Sequence, residues 1–123
     1  MMNKSHLAAI LLTVSISHSV LAGTGLNCRE ANQMEGESLG HCTEQSDREL
    51  NETFKLVMNE TYTGHQKLLR EAQQAWIKMR DADCKFREAI AAGYERGVAK
   101  DQCLIRRTME RIDQLDAMRS AAR

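Results

Sequence analysis

Apolar residues from Leu50 onward recur at intervals of three and four. They nowhere alternate as a half-buried strand would require. Leu50, Phe54, Val57, Met58 and Thr61 form a first stripe. Ser46-Asp47-Arg48-Glu49 stands just ahead of it and reads as a capping box, with Ser46 accepting from the Glu49 N–H while Glu49 reaches back. Thr63-Gly64-His65-Gln66 repeats that pattern, so the chain is expected to turn there and start a second helix. This helix covers about residues 64–92, with Leu68, Leu69, Ala72, Ala75, Trp76, Met79, Phe86, Ala89 and Ile90 as its apolar stripe. Charges such as Glu71, Arg80 and Asp83 are expected on its opposite face. At 1.5 Å per residue it would reach roughly 40 Å. Gly93 and Gly97 bracket Tyr94-Glu95-Arg96, where a short loop is expected. A last helix over about residues 100–121 turns Leu104, Ile105, Met109, Ile112, Leu115 and Met118 inward.

Ahead of these helices, residues 27–42 contain Gly36 and Gly40 and have weak periodicity, which suggests a short, broken helical segment. The absence of proline fits a helical chain. A length of 123 residues suits one small domain. The expected fold is all-α: a small antiparallel bundle of three main helices plus the short N-terminal segment, held by two disulfides.

The first 22 residues read as an address. Residues 1–6 are polar with Lys4 as the one fixed positive charge, residues 7–16 are a mostly apolar run of ten, and Val20-Leu21-Ala22 offers small residues for a peptidase. This is the three-part pattern of a signal peptide, with cleavage expected after Ala22. The run is well short of the roughly 20 residues needed to cross a bilayer. Gly25-Leu26-Asn27 before Cys28 is a poor lipid-attachment signal. The expected product is an exported domain of residues 23–123, periplasmic or secreted, with no membrane span.

Cys28, Cys42, Cys84 and Cys103 all lie in that domain. An even count in a small exported protein points to two disulfides. No pair has the spacing of a structural zinc site, so no metal is expected. Four cysteines allow three pairings, and sequence alone does not choose among them. Cys28–Cys42 with Cys84–Cys103 is favoured because each pair flanks one local connection.

Charge changes the picture in one respect. The formal net charge of zero and five aromatic residues argue against nucleic acid as a partner. Yet residues 23–63 carry three basic and eight acidic groups, whereas residues 64–123 carry thirteen basic and nine acidic. An acidic half can steer a basic protein partner toward it. Catalysis is not expected: there is no phosphate loop, no metal motif and no evident acid partner for His41 or His65. No cofactor is implied. Trp76, Arg80 and Cys84 recur at i, i+4 and i+8 and so lie along one side of the second helix, where Arg80 is read as covering the Trp76 ring or bridging to a neighbouring helix.

Three runs then carry a resemblance: Cys42 with Asp47-x-x-Leu50-Asn51; Gln73-x-Ala75-Trp76-Ile77-x-x-Arg80-Asp81-x-x-Cys84; and Cys103-Leu104-x-x-x-Thr108-x-x-Arg111. Together they resemble the LprI-like lysozyme inhibitor family. The resemblance implies a disulfide-bonded helical domain of the cell envelope that binds and sterically blocks lysozyme. The matched residues read chiefly as structural, and Tyr94, Glu95 and Arg96 are the candidate partner-binding residues, with Arg96 as a donor offered to the enzyme. The competing expectation is an envelope adaptor or stress protein of the same fold that inhibits nothing.

Overall fold

The first described residue, Asn27, caps a six-residue 3-10 segment, Cys28–Gln33, by accepting from the Arg29 N–H at 3.3 Å. In the computed structural model, residues 27–34 and 36–121 are described. The expected signal peptide and its cleavage site lie outside them. After the 3-10 segment the chain turns at Gly36, whose φ of +62° is costly for any residue with a Cβ. Three helices follow: α1 (Glu37–Glu60), α2 (Gln66–Ile90) and α3 (Glu95–Ala121). A 3-10 turn, Thr63–His65, precedes α2, and among the described residues there is no strand. The all-α bundle is thus present.

The starts of α1 and α2 differ from expectation. α1 begins at Glu37, runs through Gly40 and Cys42, and passes Ser46 without interruption. Ser46 is buried and its hydroxyl donates to the Thr43 carbonyl at 3.0 Å, so it is a mid-helix residue and not a cap. The buried stripe explains the extension. Leu39, Cys42, Ser46, Leu50, Thr53 and Val57 keep spacings of three and four along the whole helix, with two small hydroxyl residues as members. The chain does break near Thr63, but no side chain caps the new helix. Gln66 instead reaches back, donating to the carbonyls of Met58 (3.0 Å) and Thr61 (3.4 Å).

α3 is the centre of the bundle, packed on α1 along one side and on α2 along the other. The apolar core lies mainly between α1 and α3: Leu39, Leu50 and Val57 meet Ile105, Met109, Ile112 and Leu115, with Cys28, Ala31 and Cys42 closing one end. α2 brings only Leu69 and Trp76 to the rim of this core. Its fully buried residues are Gln73 and Cys84. The expected inward stripe of α2 is therefore largely outward: Leu68, Met79, Phe86 and Ile90 are all more than half exposed. Arg80, expected on the solvent side, is turned in. Met118 of α3 is likewise exposed.

Covalent and ionic links hold these layers. Cys28–Cys42 ties the 3-10 segment to α1, and Cys84–Cys103 ties α2 to α3. Arg29 donates to both carboxylate oxygens of Asp113 (3.0 and 2.9 Å), and Arg119 to both of Glu60 (3.0 and 2.9 Å). Arg107 donates twice to Asp83 Oδ2, at 2.7 and 3.1 Å, across the α2–α3 seam. That guanidinium holds the Asp83 carboxyl below its ordinary value. A depressed carboxyl stabilises the fold above its unfolded pKa of about 3.9, and the contribution is lost as pH falls through the folded value. Asp83→Asn should therefore lower the denaturant midpoint at neutral pH and leave it close to wild type at the acid end, where Asp83 is protonated in both states. Urea titrations of both proteins across the acid range check this.

Candidate functional site

Nine residues of the resemblance, the cysteines, Ala75, Ile77 and Leu104 apart, divide by position. Seven form one cluster in which all three helices meet. Two guanidinium groups lie over the ring of Trp76 of α2, with the Arg80 carbon 5.3 Å and the Arg111 carbon 5.7 Å from its centroid. Arg80, with its side chain 12% exposed, donates through Nη1 to Asp47 of α1 (3.1 Å) and to Thr108 of α3 (3.1 Å). Its Nε donates to Asp81 at 2.9 Å. Arg111 of α3 is buried and donates to Gln73 of α2 at 3.0 Å and to Gln114 at 3.1 Å. Burial lowers its affinity for the proton, but a guanidinium stays charged in this range. Its cost is met by two amide oxygens and the negative face of the indole. Leu50 is buried in the core, and Asn51 lies exposed on α1. This cluster is a clasp joining three helices, with Gln73, Thr108 and Arg111 buried and Asp47 and Asp81 exposed at its edge.

The residues available to a partner lie at the α2–α3 end. The expected five-residue loop is shorter: Glu95 and Arg96 are the first turn of α3, and Gly97 lies inside that helix. Residues 91–94 make the whole connection, closed by Ala91 N–H to Arg87 O (3.2 Å), Glu95 N–H to Ala92 O (3.1 Å) and Arg96 N–H to Gly93 O (3.4 Å). Gly93 supplies the positive φ, +55°, that lets the chain reverse so quickly. Arg96 folds back, and its Nε donates to Ala91 O at 3.2 Å. That bond secures the α2 terminus, so the Arg96 nitrogen cast as an outward donor serves the turn. Glu95 sits where a carboxylate favours the start of a helix. Tyr94 alone projects from the turn, 86% exposed.

Beside this tip runs a groove of about 590 Å³, lined by Arg29, Arg87, Arg106 and Gln102 with Ile90 and Ala31 on its floor and walls. Its three guanidiniums come from the 3-10 segment, α2 and α3. They share no local sequence pattern, so reading the chain in order did not bring them together. All three already face carboxylates: Arg29 meets Asp113, Arg106 lies 3.8 Å from Glu110, and Arg87 lies 4.0 Å from Asp83. A phenol on a rigid turn with a polar groove beside it can make contact and hydrogen bonds to a protein surface. It offers no nucleophile and base in mutual reach. All four cysteines are in disulfides, and among the described residues no cluster of three or more His, Cys, Asp or Glu is placed to hold a metal ion. No helix among the described residues is long and apolar enough to cross a membrane.

No curated protein and no solved structure matches the chain. The sequence profile described as "Lysozyme inhibitor LprI" matches residues 28–115, more than two thirds of the length, and spans every cysteine and the whole three-helix clasp. The chain belongs to the LprI lysozyme inhibitor family.

Proposed function

We propose that the protein is exported and binds lysozyme, blocking the enzyme's cleft without itself turning anything over. The family match over residues 28–115 carries this reading. Two disulfides and the three-part leader pattern of residues 1–22 support a compartment outside the cytoplasm. An inhibitor gains from a contact surface that loses little freedom on binding. The 91–94 turn suits that role because its backbone is fixed by three hydrogen bonds and a positive-φ glycine. Tyr94 is the anchor in this reading: a tyrosine supplies large contact area with few rotatable bonds, and its hydroxyl suits a cleft that binds sugar hydroxyls. The acidic excess of residues 23–63 would speed encounter with a basic lysozyme, and this part of the attraction weakens with salt.

Tyr94→Ala should weaken lysozyme affinity by about 2 kcal/mol, roughly thirtyfold, as expected for a buried aromatic anchor. It should leave the thermal midpoint nearly unchanged, because Tyr94 makes no core contact. Calorimetric titration of lysozyme with both proteins tests this. Equal affinities would move the contact away from the tip.

A further inference from the structure

We propose that the protein self-associates through the outward face of α2, which pairs antiparallel with α2 of a second copy. Leu68, Ala72, Ala75, Met79, Ala82, Phe86 and Ala89 follow one another at spacings of 4, 3, 4, 3, 4 and 3, and all seven are exposed. Leu68, Met79 and Phe86 stand at 61%, 57% and 63% exposure, and Ile90 extends the face at 66%. A strict alternation of threes and fours is the seam of a two-helix coiled coil, since a 3.5-residue repeat keeps one line of side chains facing a partner helix. The seam is about 32 Å long. Nothing within the described fold covers it: α2 packs on α3 through the opposite side, where Gln73, Trp76, Arg80 and Cys84 are engaged.

The seam's own composition selects the occupant. In a parallel pair Phe86 would meet Phe86 and each alanine an alanine, giving alternately crowded and empty layers. Reversed, the two central layers complement each other. With Phe86 opposite Leu68 of the second copy, Met79 falls opposite Ala75 and Ala72 opposite Ala82, so the large Met79 packs over a small residue. The same register brings Glu71 and Lys85, which flank the seam, beside the other copy's Lys85 and Glu71, giving two opposite-charge contacts by symmetry. Lys78 meets its own copy near the two-fold axis, and its long stem can carry the charge out to water. Two helices paired over this length, with flanking side chains, bury on the order of 1,200 Å² in total, the lower end of the stable range. The expected species is therefore a reversible dimer.

Sedimentation equilibrium of oxidised residues 23–123 over a range of concentrations tests the proposal. Expected is a monomer–dimer equilibrium that Met79→Glu, exposed in the single chain and so harmless to its fold, shifts to monomer with unchanged helicity. Lys85→Glu should weaken the dimer about tenfold, and Glu71→Lys combined with Lys85→Glu should restore it. A monomer at every concentration, or a dimer indifferent to Met79→Glu, overturns the proposal. So does a monomer that loses lysozyme binding on Phe86→Glu, which would assign the face to the enzyme.

Discussion

Trp76→Ala is expected to lower the unfolding free energy by about 3 kcal/mol, a large loss for a side chain that is only half-buried. The indole does more than fill space. It is the ring over which both Arg80 and Arg111 lie, at 5.3 and 5.7 Å from its centroid. Removing it leaves Arg111 buried with amide partners alone and frees Arg80 from the surface that orients it toward Asp47 and Thr108. α2 has few other apolar contacts with the core, so the loss falls on the helix least able to absorb it. Combining Trp76→Ala with Arg80→Ala should cost clearly less than the sum of the two, because both break one cluster. Urea denaturation of the two single variants and the double variant measures that coupling. Additive losses would show that the two side chains act separately.

Removing the Cys84–Cys103 bridge, by Cys84→Ala with Cys103→Ala, is expected to cost about 3 kcal/mol, the chain-entropy value for a loop of this length. The loops closed by the two disulfides, at separations of 19 and 14, predict similar entropic terms. Their structural consequences should nonetheless differ. Cys28–Cys42 holds a six-residue 3-10 segment that Arg29 also ties to Asp113. Cys84–Cys103 anchors the C-terminal half of α2, beyond Trp76, where Phe86 and Ile90 are exposed and the links to α3 are mainly ionic. Hydrogen exchange should show fast amides across residues 80–90 when this bridge is absent. Removing Cys28–Cys42 should instead loosen the residues before Gly36. Equal protection of α2 in the two variants would show that its apolar contacts suffice.

The sequence patterns that proved legible are those in which one side of a helix is plainly apolar. Ile105, Met109, Ile112 and Leu115 of α3 are buried as their spacing requires, and so are Leu50 and Val57 of α1. Pairing neighbouring cysteines also anticipated both bridges. The start of α1 was hidden because Ser46 and Thr53 belong to the buried stripe yet read as polar. A local capping signal at Ser46 then outweighed a longer pattern reaching back to Leu39. α2 was harder for a physical reason. It carries two stripes with helical spacing, and the more apolar one faces outward. Its inward rotation is fixed by a disulfide, by Gln73 with Arg111, and by Arg80 with Thr108, all of them long-range partners invisible to periodicity. The turn at Tyr94 is shorter than the glycine spacing suggests. Gly97 tolerates a helix interior, and the turn needs only the positive φ of Gly93.

The claim that the chain inhibits lysozyme is tested most directly by lysis of a peptidoglycan suspension, with oxidised residues 23–123 titrated against a fixed amount of enzyme. The account predicts saturable inhibition that persists at moderate salt and weakens with Tyr94→Ala. Undiminished lysis by every lysozyme class at saturating protein would contradict it, leaving the three-helix clasp in place and the inhibitory role without support.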